Sequence, residues 1–503
     1  MNDPLNLSMF RAYDIRTPAD FLTDALAERL ARAEAVFFRD VLATKAVLVA
    51  HDARSTGPRY LAIAIDVFLR SGLDVVYLPG VCSTPYFYYA AMQHPECAAI
   101  MCGASHNPAG DTGQKILGPG VIPIAEGIGP AGGLNKIKQL YSADVRPTRS
   151  GRGRPRAVEL MNDFVRFTMD LAGVGPGDLA QSRPLMDFLH GAAGREMILA
   201  LDRAGCDLYP LHFIPDGRFP LGDPNPVKQA VIQPGLRALV SSDCQWAAFL
   251  DGDGDRIDFY AGDGRYLSSS FVYAAILPEI LRPFAGDTPR LFADLKSNPL
   301  AIMEMARCGV TVDVIRNGHS QIKKSLIDAP ESIGAVEESA HFYQAFRMPD
   351  SARYCTENTL YVALLVARVW QDHPDRLDHM FRLQQRTVRQ REWGYKFPTD
   401  DHRAAALAAV RDHFAARGLQ SRTHMDNGMP LDATLMRRGL PFDIDQDTRL
   451  ADDWLQICQR VSQSESGLAR WEVVGARRAS VAAAKRAIAR CVARCGAGDE
   501  YQG

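Results

Sequence analysis

Three aspartates at alternate positions, Asp251, Asp253 and Asp255, lie in the run Asp-Gly-Asp-Gly-Asp-Arg directly after the apolar Trp246-Ala247-Ala248-Phe249-Leu250. The intervening glycines let the backbone curl tightly enough for the three carboxylates to converge. Converging carboxylates repel one another unless a cation lies between them. Hard oxygen donors at this spacing suit Mg2+, with Ca2+ or Mn2+ also accommodated. An EF-hand loop begins the same way but needs glycine at its sixth position and glutamate at its twelfth. Arg256 and Gly262 stand there, which excludes that reading.

Other residues could work beside such a cage. Ser105 follows the apolar Cys97–Cys102 in Gly103-Ala104-Ser105-His106-Asn107-Pro108. Asn107 stands where a hydrolase elbow needs its second glycine, so Ser105 is not that kind of nucleophile. Adjacent side chains do not generally face each other, which makes His106 a poor base for it. A serine without a neighbouring base, facing a metal cage, suggests a residue that carries a phosphoryl group. Arg16 offers a planar fork of donors to a phosphate. Lys115, ten residues after Ser105, is placed to orient a phosphoryl group or exchange a proton with a hydroxyl. Glu337, Ser339 and His341 alternate, and in an extended loop they share a side. Glu337 and Ser339 suit sugar hydroxyls, and His341 suits acid–base work or a phosphate contact.

A recurring unit places these loops. Ala46–Ala50, Pro184–Leu189 and Arg290–Leu295 each read as a strand. Each leads to an amphipathic helix, closed by Gly72, Gly205 or Gly309, and then to a second strand. These are βαβ units, which build mainly parallel sheets covered by helices. The copies lead in turn to the Ser105 loop, the aspartate cage and the Glu337 loop. Ligands in such folds bind beyond the carboxyl ends of strands, so three loops are expected at one cleft. The tail loses the repeat. Helices are expected near Arg403–Arg417, closed by Gly418, and near Ser480–Arg494 with Ser480 as N-cap. The expected architecture is three tandem related α/β domains with mixed, mainly parallel sheets and a smaller C-terminal α+β domain. The expected bounds are 1–150, 151–265, 266–380 and 381–503.

A formal net charge of −2 gives no reason to expect nucleic acid as a partner. No apolar run approaches the roughly 20 residues needed to span a bilayer, and the N-terminus lacks a signal-peptide pattern. Ten scattered cysteines without CxxC pairs fit a reducing compartment, so a cytoplasmic location is expected.

The ordered set Phe10-Arg11-Ala12-Tyr13-Asp14-Ile15-Arg16, Ala104–Pro108, Asp251–Arg256, Gly318-His319-Ser320 and Glu337-Glu338-Ser339-Ala340-His341 resembles the α-D-phosphohexomutases. Within them it is most similar to the phosphomannomutase/phosphoglucomutase branch. The resemblance implies four domains around a central cleft. It also implies a phosphoserine at Ser105 and one Mg2+ held by Asp251, Asp253, Asp255 and Ser105. By the same resemblance Tyr13, Arg16, His106, Lys115, Arg256, His319, Glu337, Ser339 and His341 line the site. The family's phosphate clamp, Arg-Pro-Ser-x-Thr-Glu-Pro, has its nearest match in Arg460-Val461-Ser462-Gln463-Ser464-Glu465-Ser466. Arg460, Ser462 and Ser464 keep the donor types, and both prolines are gone. Thr17, Gln114 and Val336 also depart from the pattern, and Val336 would restrict its loop if its φ were positive.

The implied activity is reversible transfer of phosphate between O6 and O1 of a hexose, mannose or glucose phosphate. It proceeds through a sugar 1,6-bisphosphate that also activates the enzyme. The alternatives are a mutase for a glucosamine or pentose phosphate and a non-catalytic sugar-phosphate-binding paralogue. The partner is a small sugar phosphate, and the sequence leaves oligomeric state open.

Overall fold

The computed structural model describes residues 5–147, 151–284, 288–348, 352–462 and 467–502. Its strands and helices follow the repeat. In the first copy, strand Ala46–His51 leads to helix Gly57–Arg70 and strand Asp74–Val81. Strand Pro184–Asp187, helix Gly194–Arg203 and strand Tyr209–Leu211 form the second copy. Strand Arg290–Asp294, helix Pro299–Arg307 and strand Thr311–Ile315 form the third. Gly72, Gly205 and Gly309 end the three helices at φ of 82°, 85° and 88°, a left-handed conformation that costs a residue without Cβ little. The strands of each copy pair in parallel.

The chain divides into two compact units. The first comprises Met1–Tyr266, His319–Pro330 and Ser339–His373; the second comprises Leu267–Gly318, Glu331–Glu338 and Pro374–Gly503. In the first unit, strand Ala46–His51 lies between Asp74–Val81 and Ala98–Cys102, parallel to both. Strand Asp111–Gly118 runs antiparallel to Ala98–Cys102 and carries Ile15–Pro18 on its other edge. A second sheet places Trp246–Leu250 parallel to Pro184–Asp187 and antiparallel to Ile257–Ala261. All five residues of both Ala98–Cys102 and Trp246–Leu250 are buried. Continuous apolar runs of this kind are what a sheet covered on both faces requires. The loops that carry the site residues leave the carboxyl ends of these buried strands.

In the second unit, strands Thr311–Ile315, Arg290–Asp294 and Ser332–Glu337 form a parallel set. The C-terminal part is an antiparallel sheet in the order Gln420–His424, Pro430–Arg438, Leu455–Val461, Leu468–Gly475, Val388–Lys396, Glu500–Gln502. Helices Asp400–Ala415 and Arg478–Ala493 bury Val410, Phe414, Ile488 and Val492 with Trp393 and Trp471 of this sheet. The first of these helices starts earlier than expected, because Thr399 Oγ1 accepts from His402 N at 3.3 Å and caps it. Ser480 is not an N-cap: that helix begins at Arg478, and Arg477 in the cap position makes no side-chain capping bond.

All ten cysteines are free, and eight of them are buried. No helix among the described residues is long and apolar enough to cross a membrane.

Candidate functional site

The serine loop is shaped by contacts that leave little room. After Cys102 the chain passes Asp52 so closely that a Cβ on Gly103 would stand 2.5 Å from Asp52 Oδ2. Ser105 is 3% exposed and adopts φ of 48°. Its hydroxyl donates to Asp251 Oδ2 at 2.7 Å and lies 3.2 Å from His106 Nδ1. The left-handed turn brings consecutive side chains together, which corrects the expectation that His106 faces away. Burial, with Arg256 and Arg16 nearby, pushes the His106 imidazole well below its usual range, so it is neutral.

Arg54 is the main brace of this loop and was not singled out from sequence. Its guanidinium donates to the carbonyls of Ser105 at 2.9 Å, Asn107 at 2.7 Å, Pro108 at 2.5 Å and Asp111 at 3.0 Å. Asp52 lies 3.3 Å from Arg54 Nε and accepts from Ala104 N at 3.2 Å. The available signal was position: His51-Asp52-Ala53-Arg54 leaves the carboxyl end of a parallel strand, as the recognised loops do. Arg54→Met should destabilise the protein by about 3–5 kcal/mol, because it strands a buried carboxylate and several carbonyls. Urea unfolding measures this, and a loss below about 1 kcal/mol would discard the brace.

Asp251, Asp253 and Asp255 converge as expected, with one ligand oxygen from each lying within 4.8 Å of the others. Gly252 is required there because a Cβ would come within 2.6 Å of the Ser105 carbonyl oxygen. Gly254 adopts φ of 73°, and a Cβ on it would stand 2.5 Å from Ala193 Cβ. Lys115, on strand Asp111–Gly118, donates to Asp253 Oδ2 at 2.5 Å, to Asp255 Oδ2, and to Thr84 Oγ1 at 3.2 Å. Thr84 Oγ1 in turn donates to Asp253 Oδ2 at 2.6 Å, a partner that sequence reasoning missed. Burial disfavours the charged form of all three aspartates. Lys115 overcomes this at Asp253 and Asp255, whose carboxyls are held below their usual range. Asp251, facing the other two, is pushed well up by burial and by their charge. Burial alone would lower Lys115, but Asp253 and Asp255 hold it well above its usual range, so it is an ammonium. Asp253 Oδ1 and Asp255 Oδ1 are buried without a hydrogen-bond partner. Buried, unsatisfied, all-oxygen donors fit a hard divalent cation.

A second layer surrounds the cage. Arg256 N donates to Asp251 Oδ1 at 3.1 Å, and Arg256 Nε donates to His341 Nε2 at 3.1 Å. A neutral His341 therefore carries its proton on Nδ1, which lies 3.9 Å from both Asp255 Oδ1 and Glu357 Oε1. Glu357 was also missed. It is buried and takes Lys323 Nζ at 3.2 Å, while Lys323 donates to the Tyr88 hydroxyl at 2.6 Å. Arg16 donates to Asn107 Oδ1 at 2.6 Å and pairs with Asp14 at 2.8 Å. Burial alone would raise the Asp14 carboxyl, but Arg16 and His319 hold it down to about 2. The His319 ring meets Tyr13 edge-on at 5.7 Å. Burial and Lys323 bring His319 down to about 4. Thus Ser105, His106, Lys115, Arg256 and His341 gather around the three aspartates. Tyr13, Arg16 and His319 form an adjoining group around Asp14.

The remaining sequence-derived residues divide between the units. Glu337 ends a strand, and Glu338, Ser339 and Ala340 form a turn in which Ala340 takes φ of 70°. The expected extended loop with Glu337, Ser339 and His341 on one side is therefore not what forms. The left-handed residue is Ala340; Val336 lies within a strand. In the second unit, Asn317 Nδ2 donates to Asp294 Oδ2 at 2.6 Å and to Glu337 Oε1 at 3.1 Å. Burial, opposed by Lys296 and reinforced by Glu337 and Glu338, raises the Asp294 carboxyl to about 7. Arg460 lies on strand Leu455–Val461 and grips Glu392 with two parallel bonds of 2.9 Å. Ser462 is buried. Ser464 lies outside the described residues.

Residues 7–128 match the family model for phosphoglucomutase/phosphomannomutase, alpha/beta/alpha domain I, and residues 178–264 match that for domain II. The phosphohexose mutases of Xanthomonas campestris pv. campestris (strain B100) are 27% identical over 350 residues, covering 69% of this chain and 75% of that protein. The phosphomannomutase of Salmonella montevideo is 26% identical over 355 residues, with the same coverage of 69% and 75%. The structure of a phosphoglucomutase/phosphomannomutase family protein from Burkholderia thailandensis superposes with a TM-score of 0.76 at 21% identity, covering 98% of this chain and 99% of that one.

Proposed function

We propose that this chain, whose residues 7–128 and 178–264 match phosphoglucomutase/phosphomannomutase domains, is an α-D-phosphohexomutase that moves phosphate reversibly between O6 and O1 of a hexose, mannose or glucose phosphate, with Ser105 as the phosphate carrier. It is an intramolecular phosphotransferase. The observation that carries the reading is the 2.7 Å bond from the Ser105 hydroxyl to Asp251, which ties a nucleophile directly to a cage of three carboxylates. One Mg2+ per chain, held by Asp251, Asp253, Asp255 and the Ser105 oxygen, would neutralise charge on the transferring phosphoryl group.

The chain's own residues do the rest. A free sugar hydroxyl attacks phosphorylated Ser105; the new P–O bond forms as the bond to Ser105 Oγ breaks, giving a sugar 1,6-bisphosphate. Return of the other phosphate to Ser105 completes the exchange, and covalent catalysis divides one difficult transfer into two positioned ones. The same bisphosphate would activate enzyme that has lost its phosphate. Arg16 and Arg256 supply fixed positive charge. Lys115 and His341 are the two groups proposed to accept the hydroxyl proton. Lys115 would first have to release the proton with which it donates to Asp253 and Asp255, and His341 would first have to free its Nε2 from Arg256. Tyr13, His319, Glu337 and Ser339 would contact the sugar phosphate, and Arg460, Ser462 and Ser464 its distal phosphate. The four-domain division at 150, 265 and 380 belongs to the same proposal. So does a cytoplasmic location, which suits ten free thiols.

Intact-mass measurement of the purified protein, followed by a coupled assay across mannose, glucose, glucosamine and pentose phosphates, tests this reading. A single phosphate adduct on Ser105 and turnover of a hexose phosphate are the expected results. Selective turnover of glucosamine or pentose phosphate would transfer the assignment to that sugar. Binding without adduct or turnover, in metal-loaded protein treated with sugar 1,6-bisphosphate, would identify a non-catalytic paralogue.

A further inference from the structure

Arg460 and Arg470 stand directly opposite each other on neighbouring antiparallel strands. Like charges in that register repel, so something must hold them together. Glu392 does so. It lies where strand Val388–Lys396 breaks register between Gln390 and Trp393, and its carboxylate spans both guanidinium groups. Arg460 Nε meets Oε1 and Arg460 Nη2 meets Oε2, each at 2.9 Å, while Arg470 Nη1 donates to Oε2 at 3.0 Å. This is the fork-to-fork geometry in which an arginine also grips a phosphate. The edge of Arg460 best suited to phosphate is thus occupied by the protein's own carboxylate.

Two cations described nearby are themselves paired. Arg389 is taken by Glu338 and Glu472, and Lys296 stands 3.9 Å from Asp294. Arg460, Lys296 and Arg470 overcome the effect of burial and hold the Glu392 carboxyl down to about 2, so it remains an anion at any ordinary pH. A dianion arriving at Arg460 meets two guanidinium groups that already share one internal carboxylate.

We propose that Glu392 is an internal counter-anion that competes with the phosphate of the substrate for the Arg460 guanidinium, and so sets how weakly this site holds a phosphate dianion. The inference rests on the reading of Arg460 as the distal-phosphate ligand. In physical terms, binding exchanges a carboxylate for a phosphate on one guanidinium edge rather than filling an open cationic site. A site built in this way releases phosphate readily, which suits a substrate that must be held in two orientations.

The test compares KM for the sugar phosphate and the inhibition constant for inorganic phosphate in Glu392→Gln, Glu392→Asp, Arg460→Ala and the Glu392→Gln/Arg460→Ala double variant, at fixed ionic strength. Glu392→Gln should lower both constants fivefold or more, because the amide keeps the shape and loses the competing charge. Glu392→Asp, which keeps the charge, should lower neither. In the Arg460→Ala background, Glu392→Gln should change neither constant by more than twofold. If Glu392 merely scaffolds the arginines, Glu392→Gln will leave the constants unchanged or raise them while Arg460→Ala still raises KM, and the counter-anion is overturned with the phosphate ligand intact. If Arg460→Ala leaves KM unchanged, the phosphate-ligand reading fails and the counter-anion falls with it. Should Glu392→Gln not fold, the wild-type Arg460 Nε–H resonance decides. It must shift on titration with inorganic phosphate as its acceptor changes, and an unmoved resonance at saturation overturns the proposal.

Discussion

Ser105→Ala is expected to lose turnover by at least about 10⁴-fold, the scale seen when a covalent nucleophile is removed, while the protein stays folded. The hydroxyl is the only atom that this substitution deletes, and its bond to Asp251 is the link between the serine loop and the cage. Loss of a hydrogen bond to a charged group should cost about 1.5–3 kcal/mol of stability, too little to unfold a typical domain. Ala104 and Asn107 keep their ties to Asp52 and Arg54, so the loop retains its course. The variant should also show no phosphate adduct by intact mass and should still bind sugar phosphate. Turnover near wild type, in protein free of host mutase, would remove Ser105 from the mechanism.

Metal removal should have the next largest effect. Chelation is expected to reduce activity to a few per cent or less, and added Mg2+ to restore it, because three buried carboxylates at one point need a hard cation to face a phosphate dianion. Asp253→Asn should raise the Mg2+ concentration needed for half-maximal activity by tenfold or more, since one of three charges is lost. That variant also weakens the contacts with Lys115 and Thr84, so metal affinity should be read directly by calorimetry alongside activity. Full activity after exhaustive chelation would show that the cage serves Lys115 alone.

The cage and the serine were legible because their chemistry is written in short runs of sequence. Glycine-spaced aspartates and a small, polar loop each follow an apolar strand, and the strand–helix–glycine repeat says where such loops emerge. Arg54, Thr84, Glu357 and Glu392 were not legible, because each acts on residues far away in the chain. Thr84 reaches Asp253 across 169 positions, and Arg54 reaches the Ser105 carbonyl across 51. No local pattern encodes such meetings; for Arg54 the place after the carboxyl end of a parallel strand hints at a role without naming its partners. His106 was misjudged for a different reason: the rule that neighbours face apart holds for extended chain, and Ser105 leaves that region at φ of 48°. Likewise the alternation of Glu337, Ser339 and His341 has meaning only in a strand, and the chain turns there instead. Ser480 was a sound capping residue by type, but the helix starts two residues earlier at Arg478. Boundaries of this kind are set by tertiary packing as much as by the cap.

The buried thiols give the protein a clock of its own. Cys102 ends the strand that leads to Ser105, and Cys458 lies on the strand that carries Arg460; both are buried, and burial pushes both thiols well above their usual range. A protonated thiol inside a sheet does not react with an alkylating reagent until the strand around it opens. The first cysteine belongs to one compact unit and the second to the other. Residue-resolved alkylation would therefore time the opening of each unit separately in the native, unlabelled protein, and would tell whether a sugar phosphate slows one clock or both.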